Sequence, residues 1–369
     1  MNEDLLFYHM LLSMVPNIGD VHIGILLQYF KDPKAIFEAK RKDLESLNGI
    51  GSVRANAIKS FKQYDRVQKE VEFVQKNKIQ VLIKGFNGYP SKMESFSDAP
   101  HILYYKGNAD LSSSKILSII GTRSPTNYGK DRVVELIDVL KDIPVLIVSG
   151  LAYGIDTLVH KESLRVGLQT VGVLGHGLDQ IYPQSNRGLA SEMIQQGGLI
   201  TEFMKGTKPD KQNFPLRNRI VSGIADAVVV MESGEKGGSL ITANMANAYN
   251  KDVFAYPGRS IDSQSLGCNE LIKSQRALLI NSGNDLLTFM NWQQNNRPKA
   301  VFQSMLFEEL NFEERKIVEL LGKHDTLSID EIAGLSMLKP SIVSFQLLSL
   351  EMKGILNPLP GKLYTILGH

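Results

Sequence analysis

The sequence predicts an α/β fold, in which a mostly parallel β-sheet forms the core between an N-terminal helical domain and a small C-terminal domain. Between residues 79 and 290, short apolar runs alternate with amphipathic helical runs, which is the pattern of a parallel sheet with helices on both faces. Helical runs with glycine turns precede this region, and a polar segment over 291–303 follows it. We therefore divide the chain into domains at 1–78, 79–290 and 304–369, with a linker at 291–303.

The composition limits the classes of protein that the chain can belong to. Its 369 residues are 43% hydrophobic and 22% charged, with a net charge of +2, as in ordinary globular proteins with two or three domains. The chain contains no apolar run of the roughly eighteen residues that cross a membrane, and its acidic start argues against a signal peptide. A single cysteine, Cys268, excludes an internal disulfide and a cysteine-rich metal site. We expect a cytoplasmic protein without membrane contact, metal or cofactor.

Two glycine turns divide the helical runs of the N-terminal domain. Helical spacing predicts helices over 5–14 and 21–30 around a turn at 15–20, and a second turn at 47–52 precedes a helix from about Val53. Such paired turns resemble the helix–hairpin–helix motif of SAM-like domains, in which backbone N–H groups contact DNA phosphates. The same arrangement also occurs in protein-docking modules and in ordinary helical hairpins, so DNA contact and protein contact both stay open for this domain.

Eight apolar runs predict the strands of the central sheet. Many are continuous runs of Val, Ile and Leu, as expected for strands that are buried on both faces. They lie at 81–83, 116–120, 145–148, 170–174, 199–200, 227–231, 253–256 and 277–280. In an open parallel sheet, ligands bind at the edge where the carboxyl ends of the strands meet, so the turns after these strands are the first place to search for a site.

Glycine-rich turns with hydroxyl and basic side chains follow most of these strands. A helix that starts at this edge offers free N–H groups and a positive dipole to an anion, while glycines let the backbone approach closely. The sequence therefore predicts an anion-binding edge with several subsites. Its candidate residues are Gly121, Thr122, Arg123, Ser149, Gly150, Phe214, Arg217, Asn218, Arg219, Lys236, Gly237, Gly238, Ser239 and Thr242.

Two common nucleotide motifs are incomplete at this edge. The dinucleotide fingerprint Gly-x-Gly-x-x-Gly fails because Gln180 stands where the third glycine is needed after Gly175 and Gly177. The loop 234–239 has the letters of a nucleoside triphosphate loop, but Lys236 precedes its glycine pair instead of following it. The glycine pair and the following serine are kept as backbone ligands for an anion.

A catalytic centre is not predicted. Ser149 lacks the flanking glycines of a nucleophile elbow, and the histidines near the strand ends have no partner at metal-ligand spacing. Three acids near strand ends could serve a hydrolase, but we expect them to cap helices or to pair with arginines. These acids are Asp156, Asp179 and Glu232.

A single-stranded nucleic acid fits the predicted edge better, because it needs repeated phosphate sites beside aromatic faces. Phe214 is the best candidate for a stacking platform, and Tyr128, Tyr153 and Tyr182 are further candidates. Stacking contributes about 1–3 kcal/mol per base and tolerates any base. The residues alone leave open that Phe214 is instead a core residue beneath its loop.

Six sequence blocks, taken together in this order, resemble the DprA/Smf family of bacterial DNA-processing proteins. The blocks are Ile-Gly-Thr-Arg at 120–123, Ser-Gly-Leu-Ala-x-Gly-Ile-Asp at 149–156, Gly-Leu-Asp at 177–179 with Tyr182-Pro183, Phe-Pro-x-Arg-Asn-Arg-Ile at 214–220, Gly-Ser-Leu-Ile-Thr-Ala at 238–243, and Asp-Val-Phe-Ala-x-Pro-Gly at 252–258. Each block alone is a weak signal, but their joint occurrence is specific.

The resemblance implies an extended Rossmann-like core that binds and protects single-stranded DNA, forms a homodimer and loads the recombinase RecA onto DNA during natural transformation. It implies that Arg123 contacts DNA and that Phe214, Arg217 and Arg219 form a basic block. Tyr153 stands where an arginine is common in the family. The resemblance implies a binding protein rather than an enzyme. The alternative is a Rossmann-like hydrolase of nucleotide phosphates, because the loop at 237–242 is similar to the glycine loop of such enzymes.

The C-terminal domain resembles a winged helix. Helical runs near 312–321, 329–334 and 342–353 precede two short strands between 355 and 366. From residue 300 onward the chain has 6 basic and 9 acidic residues, which gives a net charge of −3. Since DNA phosphates need cations, we expect this domain to contact protein rather than DNA.

Overall fold

The protein is represented by a computed structural model that describes residues 3–293 and, apart from 323, 325, 354 and 360–362, residues 310–366. The chain divides into two compact units, Met1–Gln293 and Gln294–His369. The predicted helical domain and the sheet belong to the same unit, and a domain boundary at residue 78 stays a prediction. Most of the predicted linker lies outside the described residues.

The first part of the large unit is helical, as predicted. Its helices are α1 Glu3–Ser13, α2 Asp20–Phe30, α3 Pro33–Glu38, α4 Arg41–Glu45, α5 Gly51–Ser60 and α6 Tyr64–Lys76. The two predicted turns precede α2 and α5. In the second turn, Gly49 and Gly51 have φ angles of 87° and 59°, which explains the choice of glycine. Apolar residues of these helices pack against Ile83, Ile102 and Tyr104, so the helices cover one end of the sheet.

A nine-stranded sheet forms the centre of the described part of this unit. Its strands are β1 Gln80–Ile83, β2 Ile102–Gly107, β3 Ile116–Ile120, β4 Leu146–Ser149, β5 Thr170–Val173, β6 Gly197–Thr201, β7 Ala227–Val230, β8 Asp252–Ala255 and β9 Leu278–Leu279. The order is β1-β2-β6-β5-β4-β3-β7-β8-β9. All pairs from β6 to β9 are parallel, which confirms the predicted fold class.

Strand β2 is absent from the sequence-based prediction. Its residues Ile102–Gly107 begin with a continuous apolar run, as a buried strand does. Between β1 and β2 the chain forms a 3-10 turn at Ser91–Met93, so β2 does not follow the alternation of strands and helices. Tyr104 pairs antiparallel with both Val81 and Thr201. Strand β2 thus joins β1 to the parallel part of the sheet.

Amphipathic helices cover both faces of the sheet. They are α7 Asn127–Leu140, α8 Ile155–Arg165, α9 Arg187–Gln195, α10 Asn213–Ile224, α11 Gly238–Ala248, α12 Leu266–Lys273 and α13 Gly283–Phe289. On one face, apolar residues of α10, α11 and α12 share a core with the strands. On the other face, residues of α7, α8 and α13 do so. Burial on both faces explains why the strand sequences are continuously apolar.

The strand order reverses at β3. From β3 the chain builds β4, β5 and β6 on one side and then crosses over to build β7, β8 and β9 on the other. In open α/β sheets, the crevice at such a reversal is the usual ligand site. Because these strands are parallel, the turns after β3, β4, β5, β7 and β8 open at one edge, as predicted.

The C-terminal unit has the predicted winged-helix arrangement. Its described elements are α14 Phe312–Leu321, β10 Leu327–Ser328, α15 Ile329–Ser336, α16 Pro340–Met352, β11 Leu356–Leu359 and β12 Leu363–Ile366, with strand order β10-β12-β11. The turn predicted at 360–361 lies outside the described residues. Lys353 Nζ, at the end of α16, lies 2.8 Å from Glu314 Oε1. The cation at this helix end is therefore already paired with a carboxylate.

Within the described ranges, no single helix is long and apolar enough to cross a membrane, and only α15 and α16 together, bent by 113°, pass by length and composition.

Candidate nucleic-acid interface

A narrow cleft lies at the carboxyl ends of β3, β4 and β5. It brings together four residues that were predicted from sequence, along with two of the candidate tyrosines. Its lining consists of Arg123, Gly150, Ala152, Tyr153, Leu174, Gly175, His176, Tyr182, Phe214 and Arg217. Turns that are far apart in the chain therefore meet at the predicted edge.

Arg217 is the buried cation of this cleft. Only 5% of the residue is exposed, and burial lowers the pKa of its guanidinium, while the charge of Asp156 opposes that shift. Its Nε has no hydrogen-bond partner among the described residues. Because a buried charge is costly, an anion in the cleft would stabilise the Arg217 guanidinium by placing a second negative charge beside it.

Gly150 makes room for the Arg217 guanidinium. A Cβ at Gly150 would lie 1.8 Å from Arg217 Nη1 and 2.6 Å from Asp156 Oδ2. Asp156 Oδ2 in turn accepts a hydrogen bond from Ala152 N at 3.3 Å. Burial raises the pKa of Asp156, and the nearby Arg217 opposes this shift. Asp156 therefore holds its turn through Ala152 and lies beside Arg217, as we expected for this acid.

Arg123 and Phe214 form the open side of the cleft. The Arg123 guanidinium carbon lies 5.5 Å from the centroid of the Phe214 ring, and the Tyr182 ring lies 6.1 Å from Phe214. Arg123 is exposed, whereas Phe214 is partly buried. The Phe214 ring is therefore neither a free surface residue nor a core residue, and the cation beside it can reach a phosphate while the ring meets a base.

The turn after β3 is held by backbone contacts. Thr122 N donates to Glu232 O at 2.8 Å, and Ile155 N donates to Thr122 O at 3.1 Å. A Cβ at Gly121 would lie 2.6 Å from Ile155 Cγ1, so this close approach requires glycine. The Ser149 hydroxyl is buried and donates to Ile119 O at 2.6 Å, so it joins β4 to β3 and does not face the cleft.

The loop after β7 holds a second set of predicted residues outside this cleft. The set comprises Lys236, Gly237, Gly238, Ser239 and Thr242. Lys236 and Gly238 are exposed, whereas Ser239 and Thr242 are buried. The Ser239 hydroxyl donates to the Ser233 hydroxyl at 2.8 Å, and thus holds the loop. The structure therefore does not unite the two predicted sets in one pocket.

Arg219 lies away from the cleft, in contrast to the prediction that grouped it with Arg217. Two residues along a helix correspond to about 200° of rotation, so the two arginines leave α10 on opposite sides. Arg219 Nη1 donates to Asp20 Oδ2 at 2.9 Å, and Nη2 pairs with Glu202. These carboxylates occupy the guanidinium, so we do not carry Arg219 forward as a phosphate ligand. Asn218, between the two arginines, is partly buried.

Glu232 fills the anion site at the reversal of the sheet. Its buried carboxylate accepts hydrogen bonds from Thr126 N at 2.9 Å and from the Thr126 hydroxyl at 2.5 Å. Thr126 is the N-cap of α7. A Cβ at Gly129 would collide with Glu232 Oε2, so α7 approaches this carboxylate closely. The start of a helix at such a reversal is a common phosphate site, and here the chain's own carboxylate takes that place.

An open groove of about 870 Å³ adjoins the cleft, with Tyr182 lining both. Three cations, Lys106, Arg187 and Lys208, line the groove. Lys106 lies on β2 and Arg187 on α9, so no local motif in the sequence marks them. The described residues contain no cluster of three or more His, Cys, Asp or Glu that could hold a metal ion.

Two family models match most of this chain. Residues 80–291 match the family described as DNA recombination-mediator protein A, and residues 307–362 match the DprA winged helix domain. Protein Smf of a Synechocystis species is 31% identical over 97% of this chain and 98% of its own length. The DNA processing protein DprA of Streptococcus pneumoniae is 40% identical over 54% of this chain and 70% of its own length.

The solved structures that are similar to this chain include two of DNA processing protein A. The X-ray structure of DNA processing protein A from Streptococcus pneumoniae has a TM-score of 0.68 at 31% identity and covers 78% of this chain and 99% of that chain. The structure of the Helicobacter pylori DNA processing protein A, which was solved for its single-stranded DNA binding mode, has a TM-score of 0.53 at 30% identity. It covers 58% of this chain and 97% of that chain. By its family match and its relatives, the chain belongs to the DprA/Smf family of DNA recombination-mediator proteins.

Proposed function

We propose that this protein binds single-stranded DNA in the cleft between Arg123, Phe214 and Arg217, protects the strand and hands it to RecA during recombination and transformation. One observation carries the DNA-binding proposal: the buried Arg217 lines a cleft together with an exposed arginine and a partly buried aromatic ring. This combination fits a phosphate next to an unstacked base. The DNA-binding relative from Helicobacter pylori supports the same substrate class.

The arrangement of charges favours a strand over a single nucleotide. A phosphate at Arg217 and Arg123 places the neighbouring base against Phe214 or Tyr182. Beyond Tyr182, the groove with Lys106, Arg187 and Lys208 can hold further phosphates. On the other side of the turn after β3, the exposed Lys236 and the backbone of Gly237 and Gly238 offer additional anion contacts.

Stacking on these rings requires unpaired bases, which favours single strands over duplexes. A base in a duplex is stacked and paired, so its face is not free for Phe214 or Tyr182. The cleft offers charge and ring faces rather than a pattern of donors and acceptors for base edges. We therefore expect little dependence on base sequence.

The structure favours DNA binding over the nucleotide-hydrolase alternative. A hydrolase of this type needs an acid positioned beside its glycine loop, which here would be the loop at 237–242. Glu232 accepts two hydrogen bonds from Thr126, Asp156 is buried next to Arg217, and Asp179 accepts a hydrogen bond from Gly206 N at 3.1 Å. The three acids suspected from the sequence are therefore all engaged within the protein.

The proposal can be tested by measuring how the wild type binds labelled polythymidine. Fluorescence anisotropy across a salt series reports this binding. We expect the single strand to bind more tightly than a matching duplex, with a slope of log K against log salt of about −0.7 per neutralised phosphate. Assembly of RecA on the strand is expected to be faster when the protein is present. Absence of binding at low salt, together with hydrolysis of nucleoside monophosphates, would support the alternative instead.

Homodimerisation through the core is supported by the edge of the sheet at β9. Strand β9 pairs with β8, and its other edge faces no strand among the described residues. Leu278 and Leu279 are 47% and 41% exposed, and Phe289 of α13 is also exposed. An open apolar edge strand is a template for pairing with another strand, and a second copy across a two-fold axis could continue the sheet.

The change Leu279→Lys is expected to convert a dimer into a monomer, because it places a charge in the apolar edge. Light scattering should then give a mass near the 41.0 kDa of one chain instead of twice that value. The control is Ile261→Lys, since Ile261 is apolar and 80% exposed but lies in the loop after β8 and not on an edge strand. A dimer that persists in Leu279→Lys, or dissociates equally in Ile261→Lys, would contradict this interface.

A further inference from the structure

The first glycine turn of the N-terminal helices faces the sheet. Asp20, which follows this turn and begins α2, uses both carboxylate oxygens: Oδ1 accepts from His101 N at 2.7 Å, and Oδ2 accepts from Arg219 Nη1 at 2.9 Å. The second of these donors is a side chain of α10, the helix that carries Phe214 and Arg217. The turn is therefore a docking element for the core.

Arg219 joins three segments of the chain at this point. Its guanidinium contacts Asp20 at the start of α2, the carbonyl of Asp98 and the carboxylate of Glu202, which follows β6. The Arg219 side chain is only 12% exposed. Because charge-assisted bonds of a planar guanidinium fix direction as well as distance, the contacts of Arg219 hold one side of α10 in place.

The opposite side of α10 carries the DNA cleft. Phe214 and Arg219 are five residues apart, or about 7.5 Å along a helix. A shift of α10 at Arg219 therefore also moves the cleft residues of the same helix. The cleft has little space to absorb it. A Cβ at Gly175 would lie 3.0 Å from the Phe214 ring, and one at Gly150 would collide with Arg217.

We propose that Asp20 and Arg219 are positioning residues, through which the N-terminal helices set the place of α10 and thereby the affinity of a DNA cleft that they do not line. This inference rests on the proposed function. In this proposal the first glycine turn docks on the core of the protein. Arg219 holds α10 in place and does not bind a phosphate.

The direction in which one substitution changes DNA affinity distinguishes a positioning role of Arg219 from direct contact with a phosphate. The change Asp20→Asn removes a negative charge, which by general electrostatics leaves DNA binding unchanged or strengthens it. If Arg219 were a phosphate ligand, the same change would release its cation and strengthen binding further. Positioning predicts the opposite, because α10 loses an anchor. We expect Asp20→Asn to weaken binding of polythymidine by about two- to thirtyfold, which is the range over which residues that contact neither ligand modulate coupling between sites.

A matched control comes from the same helices. The Glu70 carboxylate accepts from Lys205 N at 3.1 Å with both oxygens, so it ties α6 to the core without using α10. The change Glu70→Gln removes the same charge as Asp20→Asn, and we expect it to leave polythymidine binding unchanged. Thermal unfolding of both variants identifies any loss of folded protein.

A second variant keeps the charge of Arg219. Lysine can bind a phosphate but cannot hold three acceptors in the plane of a guanidinium. We therefore expect Arg219→Lys to weaken binding as Asp20→Asn does, whereas a direct phosphate ligand would tolerate the exchange. This variant also serves if Asp20→Asn does not fold.

The outcomes are distinct. Weakened binding in Asp20→Asn and Arg219→Lys with normal binding in Glu70→Gln supports the positioning role. Unchanged or tighter binding in Asp20→Asn, or equal losses in Asp20→Asn and Glu70→Gln, overturns it while leaving the proposed function intact. Absence of binding in the wild type overturns the proposed function, and the positioning role with it.

Discussion

Exchanging Arg123 for glutamate is expected to remove most of the affinity of the protein for single-stranded DNA. Arg123 is exposed at the mouth of the cleft, with its guanidinium 5.5 Å from the Phe214 ring. The substitution removes a phosphate ligand and places a negative charge where a phosphate would lie. A hydrogen bond to a charged group contributes about 1.5–3 kcal/mol, and repulsion adds to this loss. We expect affinity for polythymidine to fall about 100-fold at low salt.

The salt series gives a second readout for Arg123→Glu. With one phosphate contact fewer, the slope of log K against log salt should become less negative by about 0.7. Since Arg123 is exposed and anchors no buried network, the melting temperature should stay near that of the wild type. A variant that loses affinity but keeps the wild-type slope would contradict a phosphate contact at this position.

Arg165→Glu is the matched control. Arg165 lies in the last turn of α8, at the far edge of the sheet from the cleft, and it pairs with Asp138 and Glu162 on the surface. Both substitutions change the net charge by the same amount, and exposed ion pairs contribute little to stability. An equal loss of DNA affinity in Arg165→Glu would mean that binding follows overall charge and not the cleft.

The fold class could be predicted because strands buried on both faces leave a strong local pattern. Continuous apolar runs such as 116–120 and 227–231 became β3 and β7 within one residue of the predicted ends. Strand β2 is equally apolar, but it pairs antiparallel with β1 and β6 and does not follow a helix. The alternation of strands and helices, by which the other strands were predicted, therefore does not identify β2.

The cleft was predicted only in part, because a sequence pattern identifies the residues at the end of a strand but not their neighbours in space. Arg123, Gly150, Phe214 and Arg217 stand in turns or at a helix start of the predicted edge, and they line one cleft. Arg219 has the same local signal as Arg217. Its different environment depends on carboxylates at residues 20 and 202, which only the folded chain brings to it.

For the same reason, the sequence could not predict that Glu232 fills the anion site at the reversal of the sheet. Glu232 follows β7 and Thr126 precedes α7, so the bond between them joins segments 106 residues apart. A glutamate after a strand is compatible with catalysis, with capping or with pairing to an arginine. In the folded protein Glu232 accepts from Thr126 at the start of α7, and this leaves the cleft at Arg217 as the proposed anion site.

Exchanging Gly150 for alanine is expected to disable the cleft without adding or removing any charge. The new methyl group would lie 1.8 Å from Arg217 Nη1, so the guanidinium has to leave its place beside Asp156. The first atom that must yield belongs to the end of a long side chain, so the sheet can persist while Arg217 moves. We expect polythymidine binding to weaken about 10- to 100-fold, as for loss of a charged hydrogen bond, with most of the protein still folded.

Gly24→Ala is the control for Gly150→Ala. Gly24 lies within α2, and nothing lies within 4 Å of a Cβ built there. Alanine favours a helix over glycine by about 1 kcal/mol, so Gly24→Ala should be slightly more stable than the wild type and bind DNA normally. Anisotropy and thermal unfolding of both variants separate the effect on Arg217 from the effect of an added methyl group.

The result for Gly150→Ala decides which arginine matters more for the DNA. A folded Gly150→Ala protein with weak binding supports a phosphate at the buried guanidinium of Arg217, because the atoms nearest to the new methyl group belong to Arg217 and Asp156 and not to Arg123 or Phe214. Normal binding by the same variant would mean that Arg217 only neutralises Asp156, and that Arg123 with the outer cations holds the strand. Arg217→Gln then gives an independent answer, since it removes the charge without requiring space at Gly150.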